Sequence, residues 1–323
     1  MLQFFKNLKA FVFPQKKFHR TSLFKRLNLL GLEERIVPTT FTVANTNDSG
    51  AGSLRQAIID ANTTAGDDQI NFNFSSGTSP YTITLSSALP NIISASTAVT
   101  GGTAGTVTIN GLGASSLTIN GDNGNSARNF NIFNIDSGGN LSISNVTVSG
   151  AKTTSNGGAF NNNGTLAITS ATISSNSANL GGGIRNNSGG ILTLDNSIVS
   201  GNSASTDGGG ILNPVGGTFT INNSTISGNF ATGQGGGIVN GGTFTINNSN
   251  ISSNSATTNG GGIFINKGSL TLTNSTLAAN SANKGGGIYI NTSGTPGTLN
   301  ITNSTLSGNS ASNSGGGIYN IGT

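Results

Sequence analysis

Beyond residue 69 apolar and polar residues alternate with a period of two, as in Ile70, Phe72 and Phe74, Ile83 and Leu85, Val107 and Ile109, and Leu117 and Ile119. Such alternation predicts strands with one face buried and the other displayed. From residue 141 the pattern becomes regular, with apolar pairs Leu141/Ile143, Leu166/Ile168, Leu192/Leu194, Phe219/Ile221, Phe244/Ile246, Leu270/Leu272 and Leu299/Ile301. Ser142, Ala167, Thr193, Thr220, Thr245, Thr271 and Asn300 lie between them and are expected to point outward. Glycine clusters punctuate these strands, each closed by one apolar residue: Phe160, Ile184, Ile211, Ile238, Ile263, Ile288 and Ile318, spaced 24, 27, 27, 25, 25 and 30 residues apart. A unit of that length repeated in the same order gains most by lying in register on its own copy, which predicts a parallel solenoid. About ten coils at a strand spacing of about 4.8 Å would build a rod roughly 48 Å long.

The first segments are different. Residues 41–45 predict a short strand and residues 47–50 a turn. Ser53 and Gln56 have the spacing of a capping box, and Leu54, Ala57, Ile58 and Ala61 share one helical face, so a single amphipathic helix is expected to end near Asn62. The chain divides into a basic leader (1–40), disordered or export-related, a cap with irregular first coils (41–128), and regular repeats (129–323) that break off where the next strand is due.

Asparagine marks two corners of the repeat. Asn145, Asn196, Asn223, Asn248, Asn274 and Asn303 follow the alternating strand, with Ser170 as the exception, while Asn176, Asn202, Asn229, Asn254, Asn280 and Asn309 mark a second bend. Stacked amides bond to their copies and tolerate left-handed backbone, so both columns are expected to be structural.

Composition narrows the function classes. Only 7% of the 323 residues are charged, far below the quarter or so of an average globular chain. The +4 net charge is concentrated in the leader, which carries +6 and leaves −2 for the remainder. The body therefore offers no basic groove for nucleic acid. Cysteine is absent, ruling out disulfides and thiolate metal sites, and no apolar run is long enough for a membrane-spanning helix.

At this point the repeat resembles a right-handed parallel β-helix of the polymorphic outer membrane protein repeat type. That family alternates a Gly-Gly-Ala-Ile-like element with a Phe-x-x-Asn element. Here the first stands as Gly157-Gly158-Ala159-Phe160 and then as Gly208-Gly209-Gly210-Ile211 and its copies, and the second as Ile173-Ser174-Ser175-Asn176 and its copies, with aliphatic residues in place of the Phe. Asp48 to Ile58, containing Ser53-Leu54-Arg55-Gln56-Ala57-Ile58, is similar to an element that opens many bacterial secreted β-helix proteins, and residues 32–38 resemble a short element ending the leaders of large exported bacterial repeat proteins. The resemblance implies an all-β, right-handed parallel β-helix with a short N-terminal capping helix, a secreted or cell-surface bacterial location, and adhesive roles. It also brings in polysaccharide lyases and glycoside hydrolases as the enzyme alternative.

Those enzymes need paired carboxylates, or acidic calcium ligands with a basic neighbour. From residue 129 onward the acids are Asp136, Asp195 and Asp207, at different places in the repeat. His19, the single histidine, lies in the leader, and Asp67-Asp68 is expected to solvate a loop. A non-catalytic protein without cofactor or metal is therefore expected, with glycans or extracellular proteins as partners.

Two faces are candidates for binding. The column after each glycine cluster, Arg185, Leu212, Val239, Phe264, Tyr289 and Tyr319, is placed outside by alternation, and its aromatic rings could stack on sugars or anchor a protein. The second face carries Thr218, Thr220, Thr243, Thr245, Thr271 and Thr273, rows of hydroxyls that would suit glycans and that resemble ice-binding β-helices.

Overall fold

The computed structural model describes residues 38–94, 105–122, 124–125, 127–291 and 298–321. These belong to one unit spanning residues 36–323. Most of the leader, with His19, lies outside the described residues. The chain is a parallel β-solenoid. Its first strand, β1 (Thr39–Val43), begins inside the stretch read as leader and pairs with β2 (Asp68–Phe72).

Between them runs α1 (Leu54–Thr63). Ser53 caps it by accepting the Gln56 N–H at 3.2 Å, whereas the Gln56 amide donates to Asp60 at 2.8 Å. The serine thus holds the helix start while the glutamine supports the next turn. Leu54, Ala57, Ile58 and Ala61 are buried and join Val43 and Ile70 in the core, so the helix covers the apolar face of the first coils.

Among the described residues each coil from Thr165 onward visits four sheets in turn, of ten, nine, six and eight strands. One coil shows the order: Thr218–Asn222 in the first sheet, Thr225–Ser227 in the second, Phe230–Ala231 in the third and Ile238–Asn240 in the fourth. Every strand pairing inside these sheets is parallel and joins a coil to its copy, as in Phe219↔Phe244 and Ile221↔Ile246. Identical side chains therefore touch: Phe219 stacks on Phe244 with centroids 4.7 Å apart, and Phe133 on Phe160 at 5.1 Å. The inward pairs from Leu141/Ile143 to Leu270/Leu272 are buried as expected. Leu299 and Ile301, with a coil on one side only, are partly exposed.

The two asparagine columns do different work. Asn145, Asn196, Asn223, Asn248, Asn274 and Asn303 all take positive φ, between 48° and 55°, and are exposed. Their side chains build no continuous ladder; Asn196 and Asn223 both donate to Asp195. What this corner needs is a residue that accepts the left-handed region. The second column is a buried ladder. The amides of Asn176, Asn202, Asn229, Asn254 and Asn280 each donate to the next Asn Oδ1 at 2.9–3.0 Å. Each Nδ2 also donates to a carbonyl of the preceding coil, for example Asn229 to Val199 at 3.0 Å.

Two further rows lie outside the alternation rule. Asn162, Asn186, Asn213 and Asn240 form another buried ladder at 2.7–2.9 Å, in a column that turns apolar at Ile265 and Ile290. Ser197, Ser224, Ser249, Ser275 and Ser304 accept backbone N–H groups from the coil before, at 3.0–3.1 Å. These rows satisfy polar groups that the corners bury.

The glycine clusters mark where coils approach backbone to backbone. A Cβ on Gly287 would stand 2.5 Å from the Gly317 carbonyl oxygen, whereas Gly317 at the same place in the last coil has nothing within 4 Å. No helix among the described residues is long and apolar enough to cross a membrane.

Three substitutions test this packing. Asn229→Ala leaves Val199 O, the Asn202 N–H and the Asn202 amide without their buried partners; at about 1–3 kcal/mol for each such group, a loss of about 3 kcal/mol or more is expected in urea unfolding. Asn223→Gly, at the exposed left-handed corner, should stay within about 1 kcal/mol of the parent. Gly287→Ala should lower the thermal midpoint through an overpacking cost of about 1–3 kcal/mol.

Candidate functional site

The column after the glycine clusters is in register as expected: Arg185, Leu212, Val239, Phe264, Tyr289 and Tyr319 pair along the fourth sheet. The Phe264, Tyr289 and Tyr319 rings stack at 5.2 Å per step. The expected exposure is not there. Phe264 is 3% and Tyr289 8% exposed, Leu212 is buried, and Arg185, Val239 and Tyr319 are half-buried.

The reason is the turn in front of each strand. The first glycine of each cluster, such as Gly260 (φ 67°) or Gly285 (φ 64°), folds the chain back across the outer face of the strand. A Cβ on Gly260 would lie 2.9 Å from the Phe264 Cα, and one on Gly285 2.8 Å from the Tyr289 Cβ. Burial accordingly pushes the Tyr289 hydroxyl pKa up, with a smaller contribution from Tyr319, and lowers that of Arg185. Arg185 donates from Nε to Asn187 at 2.7 Å. Lys284 holds its ammonium 5.5 Å from the Tyr319 ring centre. The column is a packed ridge in which Phe264 and Tyr289 are covered and Tyr319 is half-buried.

The threonine face lies on the outer side of the first sheet. Its rows are Thr218↔Thr243↔Ser269↔Thr298, Thr193↔Thr220↔Thr245↔Thr271↔Asn300 and Asp195↔Asn222↔Asn247↔Thr273↔Thr302. Thr218 and Thr243 are exposed, and Thr220, Thr245, Thr271 and Thr273 are half-buried by their stacked copies. The apolar side chains between them turn into the core, so the outward rows are polar from the Thr193 coil to the Thr298 coil, apart from the exposed Ile191 at the start of the first row.

Beside this face, at the corner with the fourth sheet, the connections shorten from four residues (214–217) to two (241–242 and 267–268). The step leaves a groove of about 330 Å³ lined by Gly216, Gly242, Thr243, Lys267, Gly268 and Ser269, among others. Lys267 is exposed with φ 96°, a region that suits glycine; Gly138, Gly189 and Gly216, likewise two residues before their strands, have φ 77°, 80° and 87°. A lysine there costs of order 1 kcal/mol. The irregularity is visible in the sequence, as a cation where three coils carry glycine, but the hollow depends on connection lengths that only stacking brings side by side.

The carboxylates are dispersed and occupied. Asn91 donates to both oxygens of Asp136, Asn196 and Asn223 to Asp195, and the Gln234 N–H to Asp207. Among the described residues no three acids or histidines group as metal ligands. Asp67 accepts the Thr106 N–H at 2.7 Å. Asp68 is not a loop residue: it starts β2, is 1% exposed and accepts the Thr39 N–H at 3.3 Å. Burial raises its pKa, the Thr39 bond opposes that, and Asp67 adds to it. At Asp48 burial also pushes up, but hydrogen bonds from Ser86 and Arg55 and the Arg55 charge outweigh it and hold the carboxyl below its ordinary value. Arg55 pairs with Asp48 at 2.6 Å and donates to the Ser87 carbonyl at 3.0 Å, tying α1 to the 86–88 segment.

Compared with known proteins, the chain matches no family model, and no curated protein is significantly similar to it in sequence.

The pH response of Asp68 is opposite to that of an ordinary paired carboxylate. With its folded-state pKa raised, the fold holds a proton that the unfolded chain releases, so this group's contribution falls as pH rises from the ordinary carboxylate value through the raised one. Asp68→Asn should therefore raise the urea midpoint at neutral pH, and the gain should vanish below the ordinary carboxylate range.

Proposed function

We propose that this protein is a non-catalytic, exported or cell-surface rod of bacterial type that binds glycan chains along the outer side of its first sheet. The observation that carries the proposal is the set of in-register polar rows from Thr193 to Thr302, a lattice of hydroxyls and amides on paired parallel strands. Hydroxyl rows at a spacing of about 4.8 Å offer hydrogen bonds at regular intervals to an extended, hydroxyl-rich polymer. Rigid elements also spare the ordering cost that mobile loops incur on binding. The structural employment of Asp136, Asp195 and Asp207 supports the non-catalytic side of the proposal, and the leader's resemblance to exported repeat proteins supports the location. Matrix or surface proteins remain the alternative partners for the same face.

The rows favour a second function as well. The hydroxyl pairs Thr218/Thr220, Thr243/Thr245 and Ser269/Thr271 are in register on three neighbouring strands, with Thr273 beside them in the next row, a two-dimensional hydroxyl lattice that suits ordered water and hence ice.

Glycan-array binding separates these. The separate variants Thr220→Lys and Thr245→Lys, neither of which sets two lysines side by side, should each lose binding about tenfold with little change in the urea midpoint, because each side chain points outward. Thermal hysteresis in the parent, abolished by either substitution and unaccompanied by glycan binding, would decide for ice. Phe264→Ser, in contrast, should lower the unfolding free energy by about 3 kcal/mol through lost burial, and the urea midpoint with it.

A further inference from the structure

Apart from Asp195 and Ile191 at its edge, each side chain of the hydroxyl face is an uncharged hydrogen-bonding group, and by itself that face would not distinguish a neutral glycan from an acidic one. The groove beside it adds a charge. Among the described residues Lys267 is the only cation lining it and no acid lines it. Among the described residues the ion pairs are Arg55–Asp48 and Arg128–Asp122, so the Lys267 ammonium has no carboxylate partner. Its backbone takes a conformation that three other coils give to glycine, so the cation stands there against local preference. Strain kept at a concave surface points to a role for the side chain.

The floor of the groove is bare backbone. A Cβ on Gly242 would land on the Gly217 carbonyl oxygen, and one on Gly268 on that of Gly242, so coil stacking enforces glycine here and leaves the floor open to a flat ring. The wall on one side is the outermost hydroxyl row of the proposed glycan face, Thr218, Thr243 and Ser269. A chain lying along those hydroxyls would bring a substituent on one of its rings over the glycine floor and towards Lys267.

We infer that this groove is an anion subsite of the glycan face and takes a carboxylate or sulfate carried by an acidic polysaccharide. The inference rests on the glycan-binding function proposed above and adds to it the charge class of the ligand. The bond is a charge-assisted hydrogen bond from an ammonium, stronger than the neutral contacts along the rows.

The test is calorimetric titration of the full chain with three probes of matched length: an oligogalacturonate, its carboxyl-reduced neutral counterpart, and a sulfated galactan. The variants are Lys267→Gly and Lys267→Gln. Oligogalacturonate should bind the parent about tenfold more tightly than the neutral probe, with an advantage that shrinks as salt is raised. Both variants should lose that advantage while binding the neutral probe unchanged. Lys267→Gly should match or exceed the parent in thermal midpoint, which separates loss of binding from loss of fold. Preference for the sulfated probe over the uronate would identify sulfate as the anion. Equal affinity for neutral and acidic probes, or an advantage that survives both substitutions, overturns the subsite and leaves glycan binding standing. Failure of the parent to bind any probe overturns glycan binding and the subsite with it.

Discussion

Every position of the repeat has to tolerate a copy of itself one strand spacing away, and the rest of the molecule depends on that requirement. At about 4.8 Å a side chain meets the equivalent residue above and below along its whole length. Aromatic rings satisfy the condition by stacking, as in Phe219 and Phe244, and branched aliphatics by forming the inner columns. Asparagine satisfies it better than any charged residue, because one amide is donor and acceptor and can repeat without limit. A column of lysines or aspartates would place like charges side by side and destabilise the stack. The 7% charged content follows from this geometry.

Corners are where the requirement is hardest to meet, since there the ladder of backbone hydrogen bonds is interrupted while the chain stays buried. Three rows answer it in different ways: the ladder from Asn176 to Asn309, the second ladder from Asn162 to Asn240, and the serines from Ser197 to Ser304. In the two asparagine ladders the amide-to-amide bonds all run towards later coils, so they lie head to tail and can polarise one another. The glycine clusters solve a different problem, that of carbonyls approaching where a Cβ would stand. Together they make a stiff support whose display is set by regularity, and whose departures from regularity, such as Lys267, become the places where selectivity can enter.

The column from Arg185 to Tyr319 shows how direction and exposure come apart. Alternation assigns Phe264 to the outer side of its strand, and the strand pairing agrees. Whether the outer side meets water depends on what else lies over it, and here a preceding turn closes on it, allowed by a positive-φ glycine. The first sheet carries no such cover, so its threonines stay available although their pattern is the same. Asp68 illustrates the converse: a polar residue in a short acidic pair, taken inside because β2 begins one residue earlier than its apolar pattern suggests.

Local order and repetition carried the sequence a long way. The period, the inward pairs, the helix with its Ser53 cap, the left-handed Asn corners and the buried ladder at Asn176 to Asn309 were all legible, because a residue type recurring at a fixed phase reports a physical demand that recurs with it. The ladder at Asn162 to Asn240 was written in the chain too, yet alternation alone assigned that phase to the core. What tertiary structure decided was anything that depends on two different parts of a coil meeting: which outer columns are covered, how deep Asp68 sits, and where connections of unequal length leave a hollow beside Lys267. Periodicity specifies the direction of a side chain relative to its own strand, whereas exposure and concavity depend on neighbours that the period does not name.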